Sequence, residues 1–517
     1  MKRKKQTAGR LIEAEDVCRL KIICSGAISP DESRIACIIE TVSEDRKKYF
    51  SHLHTIDIAT GESRQYTQGE VADRAPVWSP DGRHLAFISA RDKKTAIYLM
   101  PADGGAEKKI IETDGAVTGL TWTPDGRELV YAFRRNDSHQ EKDEIKKKET
   151  PLFRHITRLL YRLDGAGWMP KDRFHIWKVN VASGKSRQLT RGKYDDMMPA
   201  VSANGKWIAY ISNHSREPDL EVLRDDLFVI PVSGGAAHKI PTPAGPKLSA
   251  VFSPDGKKIA YLGHDRPDDE WGKTNIHLWI AGFKGRSAAR NLIKRFDRTA
   301  IDMTLGDLVE GDEWPSLHWS ADGRRLYFTA ADRGSTHLFY VPAEGGTPTR
   351  ITHRNCHVRS FSMAGRKKVI VAVISDLKNP GDLYILPPRF KGDSRARRLT
   401  DINKKLLAQV RLPAVREVWF KAHDGNPLQG WLVTPPNFNR KRKYPAILEI
   451  HGGPRMQYGF TFFHEMLYLA SRGYVVFYTN PRGGSGRGET FAAAISGAWG
   501  EIDFHDCMAA ADYLGRL

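Results

Sequence analysis

The sequence has 517 residues, enough for two or three domains, and 40% hydrophobic with 27% charged residues exclude a disordered or fibrous chain. Five cysteines (Cys18, Cys24, Cys37, Cys356, Cys507), odd in number and without C-x-x-C spacing, argue against a disulfide framework and a zinc site and fit a reducing, cytoplasmic location. The net charge of +19 comes from scattered runs (2–5, 146–148, 395–398, 440–443) without interleaved aromatics, which exclude a nucleic-acid platform and read as solvated loops, attraction to acidic peptides being the sharper alternative.

Residues 1–25 read as a tail and lead-in. The basic start is not followed by an apolar run, and no run reaches membrane-spanning length, so neither a secretory leader nor a membrane partner is expected. A turn of type Ser-Pro-Asp-Gly then recurs seven times, beginning at Ser29, Ser79, Thr123, Ser202, Ser253, Ser320 and Ser362. Proline presets φ at the first turn position, and Asp-Gly or Asn-Gly tolerates positive φ. Each turn leads into a β-rich run, such as His84-Leu-Ala-Phe-Ile or Trp207-Ile-Ala-Tyr-Ile. A second hairpin follows in most units, as in Leu227-Phe-Val-Ile-Pro-Val-Ser-Gly-Gly.

Two hairpins make a four-stranded blade that cannot bury both faces alone, so residues 26–412 are expected to form an all-β, seven-bladed propeller. The longest interval holds an insertion at 134–173. Its Lys- and Glu-rich part (140–150) reads as an exposed loop or short helix, and Arg158 to Arg162 with Trp168 line either a substrate entrance or simply the rim. On its own, such a propeller is a binding surface and not an enzyme.

Residues 399–412 cross to a different pattern. A hairpin with a polar tip (417–436) precedes a short apolar run, 446–450, ending in His451-Gly452-Gly453-Pro454. Two glycines let backbone N–H groups face a ligand with no Cβ in the way. An amphipathic helix (462–472), a buried strand (474–478), the turn Asn480-Pro481-Arg482-Gly483-Gly484 and a last helix (501–517) follow. Strand, HGG loop, helix, strand is the first half of an α/β-hydrolase sheet.

The order HGGP, YG, helix, NPRGG-SG-GE-F, GAWG, Asp503, Asp506 resembles the prolyl oligopeptidase family, and within it the acylaminoacyl-peptidase-like bacterial branch. A GYG common in that family is Gly486-Arg487-Gly488 here. The resemblance implies acyl transfer from a short peptide to a serine and then to water, with no cofactor and no metal. It also implies that Gly453 supplies an oxyanion-hole N–H, a pure turn role being the alternative, and that Tyr458 assists that pocket. His451 and Arg482 read as structural. Glu501, Asp503 and Asp506 read as the acidic first turn of a helix, and His505 as a surface residue.

In that family the nucleophile stands in a G-x-S-x-G elbow. No such elbow occurs here; Ser485, in Gly483-Gly484-Ser485-Gly486, is out of register and reads as a turn serine. The resemblance therefore implies a serine peptidase cut before its triad, which would lie beyond Leu517. Residues 413–517 are then an incomplete hydrolase domain, inactive alone, whose strand at 445–451 is an exposed edge. That stretch is expected to unfold separately from the blades, and to self-associate or to pair with a C-terminal fragment. The rival reading is a noncatalytic peptide-binding propeller.

Overall fold

The computed structural model describes residues 9–517 apart from 93, 137–154, 165–166, 270–271, 284–287, 309–313, 365–368 and 388–395. The charged part of the insertion (140–150) and the end of the seventh turn (Gly365) lie outside the described residues. Among the described residues the strands fall into seven groups of four, over residues 22–65, 72–113, 115–188, 196–240, 247–291, 317–350 and 357–398. The chain forms two compact units: residues 1–70, 269–278 and 291–517, and residues 71–268 with 279–290.

The repeated turn explains why the sheets recur. In six turns the Ser or Thr hydroxyl donates to the Asp or Asn two residues on (2.5–2.8 Å). It also accepts the backbone N–H five residues on (2.9–3.0 Å). Five of these turns place Gly at φ between +66° and +72°; the first carries Glu32 at +58°. Successive turns also stack in the second unit, where a Cβ on Gly205 would stand 3.4 Å from Pro124.

In that unit the blades share aliphatic seams. Ile88 and Ile97 pack with Leu129 and Val179, and Ile208 and Ile230 with Val130 and Ile176. Arg158, in the insertion, is committed to Asp219 (3.0 Å), whereas Tyr161, Arg162 and Trp168 form an exposed aromatic–basic group.

In the first unit, the first and last blades meet through Ile23, Ile28 and Ile35 against Val371, Val373 and Leu383. Residues 10–22 of the lead-in take part in the packing. Arg10–Leu11 pairs in parallel with Val410–Arg411, and Ala14–Arg19 is a 3-10 helix whose buried Asp16 takes a bidentate bond from Arg10 (2.6 and 2.7 Å). Ile12, Leu20 and Ile22 join one apolar cluster with Trp431, Phe460, Phe462 and Met466, with Leu305, Leu377 and Leu406 at its border. One of the two apolar clusters of residues 413–517 is thus shared with residues outside that stretch, while the other, which includes Val418, Phe420, Phe477 and Ala510, is built from that stretch alone.

The remaining elements are β1 (Ala414–Lys421), β2 (Pro427–Thr434), β3 (Ala446–Ile450), α1 (His464–Ser471), β4 (Val475–Asn480), α2 (Glu489–Ala493) and α3 (Ile502–Arg516). They form a sheet of order β1-β2-β4-β3, with β3 and β4 parallel and joined through α1. All of β4 is buried, while β3 is at the sheet edge with Ile450 55% exposed.

Candidate active site

Ligands in open α/β sheets bind beyond the carboxyl ends of parallel strands. Here those ends carry the loops 451–457 and 481–488, which are stitched together. The Ser485 N–H donates to the Met456 carbonyl (2.9 Å), and its hydroxyl donates to the Arg455 carbonyl (2.8 Å). Ser485 is 3% exposed, so its hydroxyl is committed inside the turn.

Gly452 and Gly453 lie on the exposed side. Gly453 has φ +123°, and a Cβ there would stand 2.6 Å from Met456 Cγ, so the loop path requires glycine. His451 Nδ1 donates to the Gly452 carbonyl (2.9 Å), and its ring meets the Tyr458 ring edge-on at 5.0 Å. Burial lowers the His451 pKa against the pull of Gly452 and Asn480. Tyr458 is 6% exposed and belongs to the apolar cluster, against Phe463 and Tyr478. Burial, with Glu449 and Glu465 nearby, holds its phenol well above the usual range. Its backbone is clamped by Asn480, which accepts the Tyr458 N–H (2.7 Å) and donates to its carbonyl (2.9 Å). The Gly452 carbonyl and the Tyr458 ring thus flank one imidazole.

Two residues that sequence reading missed anchor the loop. Arg455 is 9% exposed; its guanidinium donates to Ser485 Oγ (3.3 Å), Asn275 Oδ1 (2.9 Å) and the Gly272 carbonyl. Burial lowers its pKa, although Asp269, Glu489 and Asp297 pull the other way. Gln457 is fully buried. Its side chain accepts the Gly334 N–H (3.0 Å) and donates to Thr304 (3.0 Å) and the Ser335 carbonyl (3.2 Å). An Arg or Gln in a loop carries no pattern that marks it as buried; only the fold supplies its partners.

The 481–488 turn is fixed in the same manner. Arg482 binds Asp506 through its backbone N–H and Nε (2.9 Å each) and Nη2 (2.6 Å), and Asp424 through Nη1 (2.5 Å). Asp506 is fully buried and lies past the first turn of α3, where it binds Arg482, which corrects its reading as part of the acidic first turn; Asp503 does sit there, accepting the Gly500 N–H (2.8 Å). Arg482 is structural, and its pKa is raised by the Asp506 bonds. Asp297 accepts the N–H of Glu489 (2.9 Å) and the Asn275 amide (3.0 Å), and Glu489 accepts the Asn275 N–H (2.8 Å). Among the described residues no group of three or more His, Cys, Asp or Glu is arranged to hold a metal ion.

A blade-built domain followed by a βαβ unit with an HGGP loop defines a propeller-fronted hydrolase of the α/β class. Family models match in the same order: a TolB beta propeller domain over residues 17–143, the acylaminoacyl-peptidase N-terminal beta-propeller domain over 84–377, and the prolyl oligopeptidase family over 460–517. The chain belongs to the prolyl oligopeptidase family. It is 30% identical to the uncharacterized peptidase YuxL of Bacillus subtilis over 508 residues, 97% of this chain and 76% of that one. It is 25% identical to dipeptidyl-peptidase 5 of Porphyromonas gingivalis, covering 98% and 73%. The Pyrococcus horikoshii acylaminoacyl peptidase has the same fold, with a TM-score of 0.77 at 19% identity over 98% of this chain and 72% of that structure.

Proposed function

We propose that these residues form the propeller and oxyanion-loop part of a serine-type peptidase that hydrolyses acylated or short peptides. The carrying observation is the glycine pair at the carboxyl end of β3. It presents backbone to solvent, lies beside the NPRGG turn, and is braced by Arg455 and Gln457 on segments 272–275, 302–305 and 333–335. In the reaction, the Gly453 N–H donates to the oxygen that gains charge when a serine attacks the scissile carbonyl; one such donor is worth roughly 3–4 kcal/mol of barrier. The acyl group then passes to water.

The 517 residues contain no G-x-S-x-G, so by themselves they are expected to bind peptides without cleaving them. The reading includes a cytoplasmic location, which the five free cysteines support. The test uses acetylated peptide anilides and a fluorophosphonate probe. No turnover and no labelled serine are expected from residues 1–517. A polypeptide that joins residues 1–517 to a G-x-S-x-G elbow with its Asp and His should do both, labelled at that serine. Matching turnover and labelling at any serine up to Leu517 would overturn the assignment.

A further inference from the structure

We propose that His451 is the positioning residue of the oxyanion donor: its ring holds the Gly452 carbonyl and thereby aims the Gly453 N–H outward. This rests on the peptidase reading for its purpose, though not for its geometry.

A carbonyl oxygen only accepts, so in the 2.9 Å contact with Gly452 the His451 Nδ1 carries the proton. The peptide between Gly452 and Gly453 is trans and planar, so its C=O and N–H point in opposite directions. Turning the carbonyl toward the imidazole therefore turns the Gly453 N–H away from it, and both glycines are exposed. A glycine pair is otherwise the most freely rotating link in the chain, and flipping its central peptide would present a carbonyl where the donor is needed. Something must set the direction, and the His451 ring is the group that touches the carbonyl.

The ring in turn is held. Tyr458 packs against it with the two planes at 90°, and the Tyr458 backbone is clamped on both polar atoms by Asn480, itself 1% exposed at the end of β4. The last residue of the parallel strand β4 thus fixes Tyr458, Tyr458 fixes His451, and His451 fixes the glycine peptide. This gives the His of HGGP, the Tyr five residues after Gly453 and the Asn of NPRGG one shared purpose.

The test reads the peptide directly in the 517-residue chain. The sequence has five Gly–Gly pairs, at 104–105, 234–235, 345–346, 452–453 and 483–484. Labelling glycine with carbonyl 13C and amide 15N leaves five peaks in a carbonyl-to-amide correlation spectrum. Those of 104–105, 234–235 and 345–346 report the state of the rest of the fold, whereas a Cβ on Gly484 would stand 3.8 Å from the His451 ring. In His451→Leu the Gly452–Gly453 peak should shift while those three stay. In His451→Asn, whose Nδ2 stands where Nδ1 stood, the peak should remain near its original position. Should His451→Leu disturb those three, His451→Phe takes its place, keeping a ring against Tyr458 without the donor. An unmoved Gly452–Gly453 peak in the variant lacking the donor would overturn the proposal. So would an Asn variant that moves as far as the Leu one, because packing and not the hydrogen bond would then be at work. None of these readouts involves hydrolysis, so the peptidase reading can fail in its own assay while the peptide orientation stands, and the reverse.

Discussion

Replacing Asp506 by Ala should loosen the NPRGG turn and the start of α3. The Asp506 side chain is fully buried, and that of Arg482 is 14% exposed. The carboxylate receives three of the four polar contacts that Arg482 makes, and the fourth goes to Asp424, whose side chain is 47% exposed. Removing one member of a buried pair strands the other charge, at a cost of about 3–5 kcal/mol. Asp424 remains as a partly solvated partner, so the lower end applies, about 3 kcal/mol. At 1.36 kcal/mol per factor of ten, that is a loss of protection on the order of 100-fold. Native-state hydrogen exchange on peptides spanning 480–510 should show it, while peptides from 72–113 stay unchanged. The double variant Arg482→Met/Asp506→Leu should lose less than Asp506→Ala, because it leaves no buried charge unpaired. A loss below about tenfold, or a double variant no better than the single, would refute this account.

Gly488→Ala should cost about 2–3 kcal/mol, read as faster exchange in 489–498: φ there is +91°, and a Cβ would stand 2.0 Å from the Asp297 carboxylate that caps α2. In the first blade, the Ser29 hydroxyl is the main cause that lowers Asp31 to about 2 from 3.8. That stabilisation is full above about pH 4 and is lost as pH falls toward 2, so Ser29→Ala should start acid unfolding of residues 22–65 at higher pH, followed by exchange or circular dichroism. Lys247 is 1% exposed, its amine donates to the carbonyls of Asp225, Pro243 and Gly245, and burial lowers it to about 8 from 10.5. Its folded value lies below the unfolded one, so stability of the second unit should rise by up to about 3 kcal/mol between pH 8 and 10.5, a rise that Lys247→Met lacks in urea titrations. The half-exposed edge strand β3 offers unpaired backbone beside Ile450, so light scattering should show concentration-dependent association that Ile450→Lys suppresses.

The fold was legible because its signals are local. Each Ser-Pro-Asp-Gly turn closes its own hydrogen bonds within six residues, so sequence spacing alone marks the blades. The HGGP strand, helix and second strand are likewise set by short-range periodicity. Asp506 reads as a first-turn carboxylate because its charge stands close to a helix start, whereas its partner Arg482 lies 24 residues back. The strand Arg10–Leu11 carries no local signal because it pairs with Val410–Arg411, some 400 residues away. Arg455 and Gln457 bond to groups 122 to 183 residues distant, a separation across which no periodicity carries information.

Those same long-range bonds decide how the candidate site is built. The loop from His451 to Gln457 satisfies few of its polar side-chain groups with its own residues. Arg455 relies on Gly272 and Asn275, and Gln457 on Thr304, Gly334 and Ser335. Each is almost wholly buried, so withdrawing those partners without water to replace them costs about 1–3 kcal/mol per stranded group, more for the charged one. The bracing cannot come from the βαβ unit alone, since it does not contain the acceptors. Blade-side segments and the glycine loop therefore belong to one structural unit, and the loop's shape depends on residues contributed from the propeller's own sequence. The path of the glycine loop is therefore set only where those segments are in place, because they hold the acceptors and donors that Arg455 and Gln457 need.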